Sequence, residues 1–389
     1  MLEQAHALSG QISGWRRHLH QHPELGFAEH ETANFIAETL RPLGIPVRTG
    51  VGRTGVVAEV GSGDGLLVAI RADIDALPIT EESGVAFCSL TPGRMHACGH
   101  DAHAAMALGA AYLLHQRGDL PGRVRFLFQP CEETEDDEGK SGAHRMIEDG
   151  AMEGVRAIIG QHVDPSAKVG HVHVSAGPIA AAPDAFWATI KGQGTHAASP
   201  QTGIDAIWLA SQVLNAIYGL RGRLASPTAH AVITVGTVHG GTAENIIPSE
   251  VTLSGTIRTF DETTRARLRQ GLHEACAIAR AFGGDYELKI SGVCPPVEND
   301  ARIAGLVREE ALALFDAERV HVQEPQCGAD DFAVLATQAP GCYWFLGVNG
   351  GEGFYECHDP RFTLDEAALP VGTALLAASA LRLLKEYGG

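Results

Sequence analysis

Short apolar runs of strand character alternate with helical segments along this chain, and that alternation limits the fold more than any single motif does. Residues 55–60, 66–70, 123–128, 155–159 and 342–346 are rich in β-branched, aromatic and Leu residues and are bounded by turn residues. Residues 11–43, broken at His22-Pro23-Glu24-Leu25-Gly26, carry helical spacing, as do 102–115, 143–148, 301–315 and 366–386. Strands alternating with helices predict an α/β domain whose sheet is mostly parallel. From about Pro183 the pattern changes to strand 186–190, helix 204–218, strands 230–238 and 251–258, helix 262–282 and strand 286–290. That β-α-β-β-α-β order predicts a ferredoxin-like α+β unit. After Pro295-Pro296 the chain returns to helix and then strand, so 183–292 reads as a domain inserted between 1–182 and 293–389. A chain of 389 residues is long enough for both, and no solenoid-period repeat is present.

In an open α/β sheet, ligands bind beyond the carboxyl ends of the strands. Strand 66–70 runs into Arg71-Ala72-Asp73-Ile74-Asp75, and strand 123–128 into Gln129-Pro130-Cys131-Glu132-Glu133. Strand 155–159 is followed by Gly160-Gln161-His162, and strand 342–346 by a Gly-rich loop leading to Glu356-Cys357-His358-Asp359. Taken singly, each reads as well as a solvated acidic loop or a hydrogen-bonded rim histidine. Collected in one crevice, they make a site.

Residues 95–103, Met-His-Ala-Cys-Gly-His-Asp-Ala-His, add a thiol, three imidazoles and a carboxylate. Cys and His bind zinc-type divalent ions as thiolate and neutral imidazole. Gly99 can take a positive φ, which lets Cys98 and His100 converge on one point. Periodicity does not choose among His96, His100 and His103. Cys98, His100, Glu133, His162 and His358 offer enough ligands for two divalent ions, leaving Glu132 as a carboxylate beside them to move protons.

Lys and Arg number 29 against 47 Asp and Glu, a net charge of −18, which disfavours nucleic acid or an anionic membrane as a partner. The N-terminal Met-Leu-Glu-Gln-Ala-His lacks a basic, then apolar, leader pattern, and no run reads as approaching the length needed to span a bilayer, so a cytoplasmic location is expected. Eight scattered cysteines lack a disulfide framework and read as reduced thiols, most of them small buried side chains.

Five runs resemble one family: Arg-Ala-Asp-Ile-Asp-Ala-Leu-Pro (71–78), residues 95–103, Gln-Pro-Cys-Glu-Glu (129–133), Gly-Thr-His-Ala-Ala-Ser-Pro (194–200) and Gly-Gly-Thr-Ala-Glu-Asn-Ile-Ile-Pro (240–248). They are similar, in order along nearly the whole chain, to the amidohydrolase branch of the aminoacylase/carboxypeptidase metallopeptidases. That branch includes hippurate hydrolase, N-acyl-amino-acid amidohydrolases and plant auxin-conjugate hydrolases. The resemblance implies two divalent ions (zinc, manganese, cobalt or nickel) on Cys98, His100, Glu133, His162 and His358, with Cys98 bridging. It implies Glu132 as general base, and Asp75 as the carboxylate that orients a ligand. Asp73 stands where sister branches place a histidine ligand, and Asp101 is left as either a support for His100 or a helix cap.

In the inserted domain, His196 matches a residue that stabilises the developing oxyanion, often across a dimer interface. Asn245 and Arg258 match residues that take substrate polar atoms, and the domain as a whole matches a lid and dimerisation module. The implied substrate is an N-acyl amino acid or a short peptide, and the implied assembly is a homo-oligomer, dimeric or tetrameric. Two features depart from the family pattern: the acidic segment 134–141 is long, and Cys131 replaces a small apolar residue. A carboxypeptidase is the near alternative. Thiol catalysis by Cys98 and a non-catalytic metal module are the distant ones.

Overall fold

The computed structural model describes residues 1–63, 65–292, 294–351 and 354–386. The expected domain boundary at 293 and part of the Gly-rich loop before Glu356 lie outside them. The chain divides into two compact units: Met1–Gly177 with Glu298–Glu324 and Asp331–Gly389, and Pro178–Val297 with Pro325–Asp330.

The first unit is a mixed α/β structure on one large sheet. Its strands are β1 (Val47–Val51), β2 (Gly55–Val60), β3 (Leu66–Asp73), β4 (Gly122–Gln129), β5 (Val155–Lys168), β6 (Val172–His173), β7 (Val320–His321) and β8 (Gly341–Asn349). They lie in the order β1-β2-β4-β3-β5-β8-β6-β7. The central run β4-β3-β5-β8 is parallel throughout, while β1 and β2 are antiparallel additions at one edge. Parallel strands covered on both faces read as continuous apolar runs, and β3 is buried along all but its first residue.

Strand β5 runs well beyond the expected 155–159, because its register with β8 continues through Phe345↔His162 to Gly347↔Asp164. His162 therefore sits within a strand rather than after one.

Helix His100–Arg117 has an apolar, Ala-rich surface all round and is buried for almost its whole length, as expected of a helix that packs on several sides. Asp101 does not cap it. The N-cap is Gly99, and the Asp101 carboxylate accepts from Arg16 Nε at 2.8 Å and from His20 Nδ1 at 2.9 Å. Burial pushes the Asp101 pKa up, but the Arg16 and His20 charges outweigh it and hold the group far below the usual carboxylate range.

Against the expectation that no run approaches the length needed to span a bilayer, one does. Glu366–Glu386 is long and apolar enough by length and composition, yet 89% of its most apolar window is buried inside the protein. Its Leu369–Glu386 part packs on helix His100–Arg117 as a core helix.

The second unit holds four antiparallel strands in the order Ala231–Gly240, Glu250–Thr259, Ala182–Lys191, Asp285–Gly292. Strand Ala182–Lys191 alternates buried and more exposed residues, the pattern of a sheet covered on one face. Phe186 and Ile190 share a core there with Leu209 and Val213 of helix Ala206–Leu224 and with Leu268 and Leu272 of helix Glu262–Ala281.

Candidate metal centre

The carboxyl ends of β3 and β4, the middle of β5 and the loop after β8 converge, within the first unit, on the turn that starts helix His100–Arg117. Gly99 makes that turn possible. Its φ is +87°, and a β-carbon there would stand 2.4 Å from Val163 Cγ2. We expect Gly99→Ala to cost about 1–3 kcal/mol from the backbone conformation alone, before the clash is added. Urea unfolding with metal analysis checks this: loss of stability should come with loss of bound metal, since Cys98 and His100 can no longer converge.

The donor atoms of Cys98, His100 and His162 lie within 4.8 Å of one another, and so do those of Cys98, Glu133 and His358. The two triads share Cys98. Cys98 Sγ is 3.4 Å from His162 Nε2, and His358 Nε2 is 3.1 Å from Glu133 Oε1. His100 Nδ1 is oriented by Asp75, 2.9 Å from its carbonyl oxygen and 3.1 Å from Oδ1, while Asp75 Oδ2 accepts the Glu133 amide at 3.0 Å. One carboxylate thus positions two of the donors. His100 Nε2 is left buried without a hydrogen-bond partner, aimed into the cluster. A third group joins Glu132 to His100 and Glu133 within the same 4.8 Å limit.

A buried polar atom without a partner is costly, and several acids and imidazoles around it form a donor set that fits divalent cations. The electrostatics agree. A hydrogen bond with Cys357, burial, and repulsion from Glu133 and Glu132 all raise the Cys98 pKa well above that of a free thiol. Burial among the carboxylates of Glu132 and Glu133 works against a free thiolate at Cys98, and a cation beside it would offset that repulsion.

The three histidines of 95–103 separate by their partners. His96 is buried with neither nitrogen bonded, and burial drives its pKa down to about 3. His103 has both nitrogens engaged, Nδ1 with Asp73 at 2.6 Å and Nε2 with the Val163 amide at 3.0 Å. Only His100 offers a nitrogen to the cluster.

Glu132 and Glu133 follow Cys131, a non-glycine residue at φ +47°, whose amide donates to Glu29 Oε1 at 2.8 Å. Burial pushes the Glu29 pKa up to about 7 despite hydrogen bonds from Thr54 and Cys131. A raised carboxyl pKa means the fold binds the proton more tightly than the unfolded chain does. Stability is therefore lost as pH rises from about 4.5 to about 7, by roughly 3 kcal/mol when complete. Glu29→Gln is expected to remove that slope, so the melting-temperature gap between variant and wild type should open across this window.

In the second unit, strand Thr195–His196 pairs with Ile246–Ile247, and the Ala197 amide donates to the Asn245 carbonyl at 3.0 Å. His196 and Asn245 thereby line one cavity of about 960 Å³, with His239 and Thr242 among its other walls. The Ala198 amide donates to His196 Nδ1 at 3.0 Å, so the neutral ring carries its proton on the exposed Nε2 and presents a donor. Arg258 is not in that wall. It lies six residues along strand Glu250–Thr259 from the lining residue Thr252, about 20 Å at strand rise.

Sequence reasoning passed over Arg71 and Asp331 as partners of Asp73: buried Arg71 bonds Asp73 at 2.6 Å and Asp331 at 2.8 Å. An arginine inside a buried parallel strand was the available signal. Cys357 was passed over as well, although it adjoins His358.

The model of peptidase family M20/M25/M40 matches residues 69–382. N-acetyl-L-cysteine deacetylase of Bacillus subtilis is 41% identical over 97% of this chain and 89% of its own. Thermostable carboxypeptidase 2 of Saccharolobus solfataricus is 40% identical over 96% of each. The solved structure of the Bacillus subtilis YXEP protein, described as a dinuclear metal binding peptidase, superposes with a TM-score of 0.84 at 38% identity, covering 97% of this chain and 99% of its own. A family match over most of the chain, with relatives this similar along nearly all of it, makes this protein a member of peptidase family M20/M25/M40.

Proposed function

We propose that this protein hydrolyses the amide bond of N-acyl amino acids at a two-metal centre built on Cys98, His100, Glu133, His162 and His358. It is a metal-dependent amide hydrolase, as its family membership and relatives support. The observation that carries the site assignment is the pair of donor triads sharing Cys98, a donor set that would hold two divalent ions of the zinc, manganese, cobalt or nickel type. Two divalent ions bound there would acidify a water and polarise the scissile carbonyl. Glu132 would take a proton from the attacking water as its oxygen bonds to the carbonyl carbon and deliver it to the nitrogen as the C–N bond breaks, leaving an acid and an amine. Asp75 holds His100 and the Glu133 backbone in register while this happens.

The second unit is assigned as an inserted lid and dimerisation domain, occupying about 183–292, in a homo-oligomer. His196 donates from Nε2 to the carbonyl oxygen as it becomes negative, and Asn245 and Arg258 take substrate polar atoms, Arg258 a carboxylate through its planar fork. The cavity that His196 and Asn245 share supports the first two roles, whereas Arg258 rests on the family resemblance alone.

A second reading, a carboxypeptidase using the same chemistry on a peptide's last bond, is favoured by the carboxypeptidase relative. Product analysis on N-acetyl- and N-benzoyl-amino acids beside N-blocked dipeptides, with metal analysis of the same preparation, separates the two. Faster cleavage of the dipeptides would select the carboxypeptidase. On the preferred substrate, His196→Ala should lower kcat, and near-normal turnover would remove His196 from the mechanism.

A further inference from the structure

The GHD-x-H stretch holds a second histidine that the metal site does not use as a donor. His103 lies one helical turn beyond His100, with its ring centroid 5.4 Å from that of His100 and 4.6 Å from that of His162. Its Nε2 faces the Val163 amide at 3.0 Å. A peptide N–H can only donate, so Nε2 must accept and the ring proton must sit on Nδ1, where Asp73 Oδ1 takes it at 2.6 Å. Residue Val163 is thus held by its N–H. Its carbonyl oxygen holds His162, 2.7 Å from Nδ1, which leaves the lone pair of His162 Nε2 turned toward Cys98 Sγ at 3.4 Å.

Asp73 is itself fixed. Arg71 Nη1 bonds its Oδ2 at 2.6 Å, and Arg71 also donates to Gln129 Oε1 at 2.9 Å and Asp331 Oδ1 at 2.8 Å. Arg71, Asp73, Gln129 and Asp331 are all buried. Asp73, His100 and His103 lie close enough together to be considered as ion ligands themselves. His103 has no lone pair to give, however, because Nε2 is taken by the amide and Nδ1 carries a proton.

We propose that His103, held by Asp73, is a positioning residue that fixes the tautomer and direction of His162 as a metal ligand. The proposal rests on the reading that His162 is a ligand. It gives the carboxylate at position 73 a task of its own, anchoring the histidine that braces a ligand.

The test uses the full-length protein stripped of metal and titrated with zinc alone against a competing chelator. His103→Asn keeps a donor near the Nδ1 position and removes the acceptor for the Val163 amide. His103→Gln places an amide oxygen near the Nε2 position. We expect His103→Asn to weaken one of two zinc equivalents by about 10- to 100-fold, and His103→Gln to stay within about threefold of wild type. The absorption bands of the cobalt-loaded protein should shift in the Asn variant and stay at the wild-type position in the Gln variant, which restores the acceptor for the Val163 amide.

Equal binding by His103→Asn and wild type, or equal weakening by both variants, would overturn the proposal. Should His103→Asn not fold, Asp73→Asn replaces it. That variant leaves His103 in place without its anchoring charge and should weaken the same equivalent, and wild-type binding overturns the proposal. His162→Ala is the separate control. It should lose one equivalent, and retention of both would show that the ligand assignment, rather than the positioning role, has failed.

Discussion

Replacing Glu132 by Gln is expected to lower turnover by about 10²- to 10⁴-fold, the usual contribution of a positioned general acid or base. Both metal equivalents should remain bound. The substitution keeps the side chain's size and its place beside His100 and Glu133, while removing its negative charge and with it the ability to take a proton. Steady-state kinetics paired with metal analysis separates two outcomes. A dead protein that has lost metal would make Glu132 a ligand. A fully active one would leave the site without its proton carrier and would favour a non-catalytic metal module.

Cys98→Ala should have the broader effect, because Cys98 belongs to both of these donor triads while each of the other four proposed ligands belongs to one of them. We expect both equivalents to weaken by more than about 100-fold, beyond the loss from removing a supporting partner. Activity should fall with them and not return on adding zinc at ordinary concentrations. Metal that binds only the folded chain adds about 2.7 kcal/mol at a hundredfold excess over Kd, so the variant should also lose the zinc-dependent rise in melting temperature. The thiol-nucleophile reading makes a different forecast. It requires chelators to leave wild-type activity unchanged and alkylation of Cys98 to abolish it, whereas chelation followed by zinc, manganese or cobalt restoration is the pattern expected here.

These effects were partly visible in the chain itself. Strand-ending acids such as Glu132, Glu133 and Asp75 stand out because a buried parallel strand is apolar and its polar residues collect where it stops. Gly99 stands out because Cys and His on either side of it can converge only through a backbone conformation that favours glycine. His162 was placed after a strand because the apolar run ends at Ile159, whereas pairing with β8 carries the strand onward through polar residues. Hydropathy does not record a backbone ladder.

The sequence by itself determined the element types, the strand–helix alternation, the change of pattern near Pro183 and the list of groups able to bind metal. Periodicity and turn chemistry are local, and they report which face of an element avoids water. The tertiary structure decided which groups meet. It singled out His100 among three histidines, because His103 is engaged by Asp73 and Val163, which lie 30 and 60 residues away. It made Asp101, left open between helix cap and support for His100, a partner of Arg16, 85 residues distant. It also set Arg258 apart from the cavity that His196 and Asn245 line. Each decision turned on the hydrogen-bond partner or neighbour of a polar group, and a buried polar group finds its partner across the fold, where no spacing along the chain can show it.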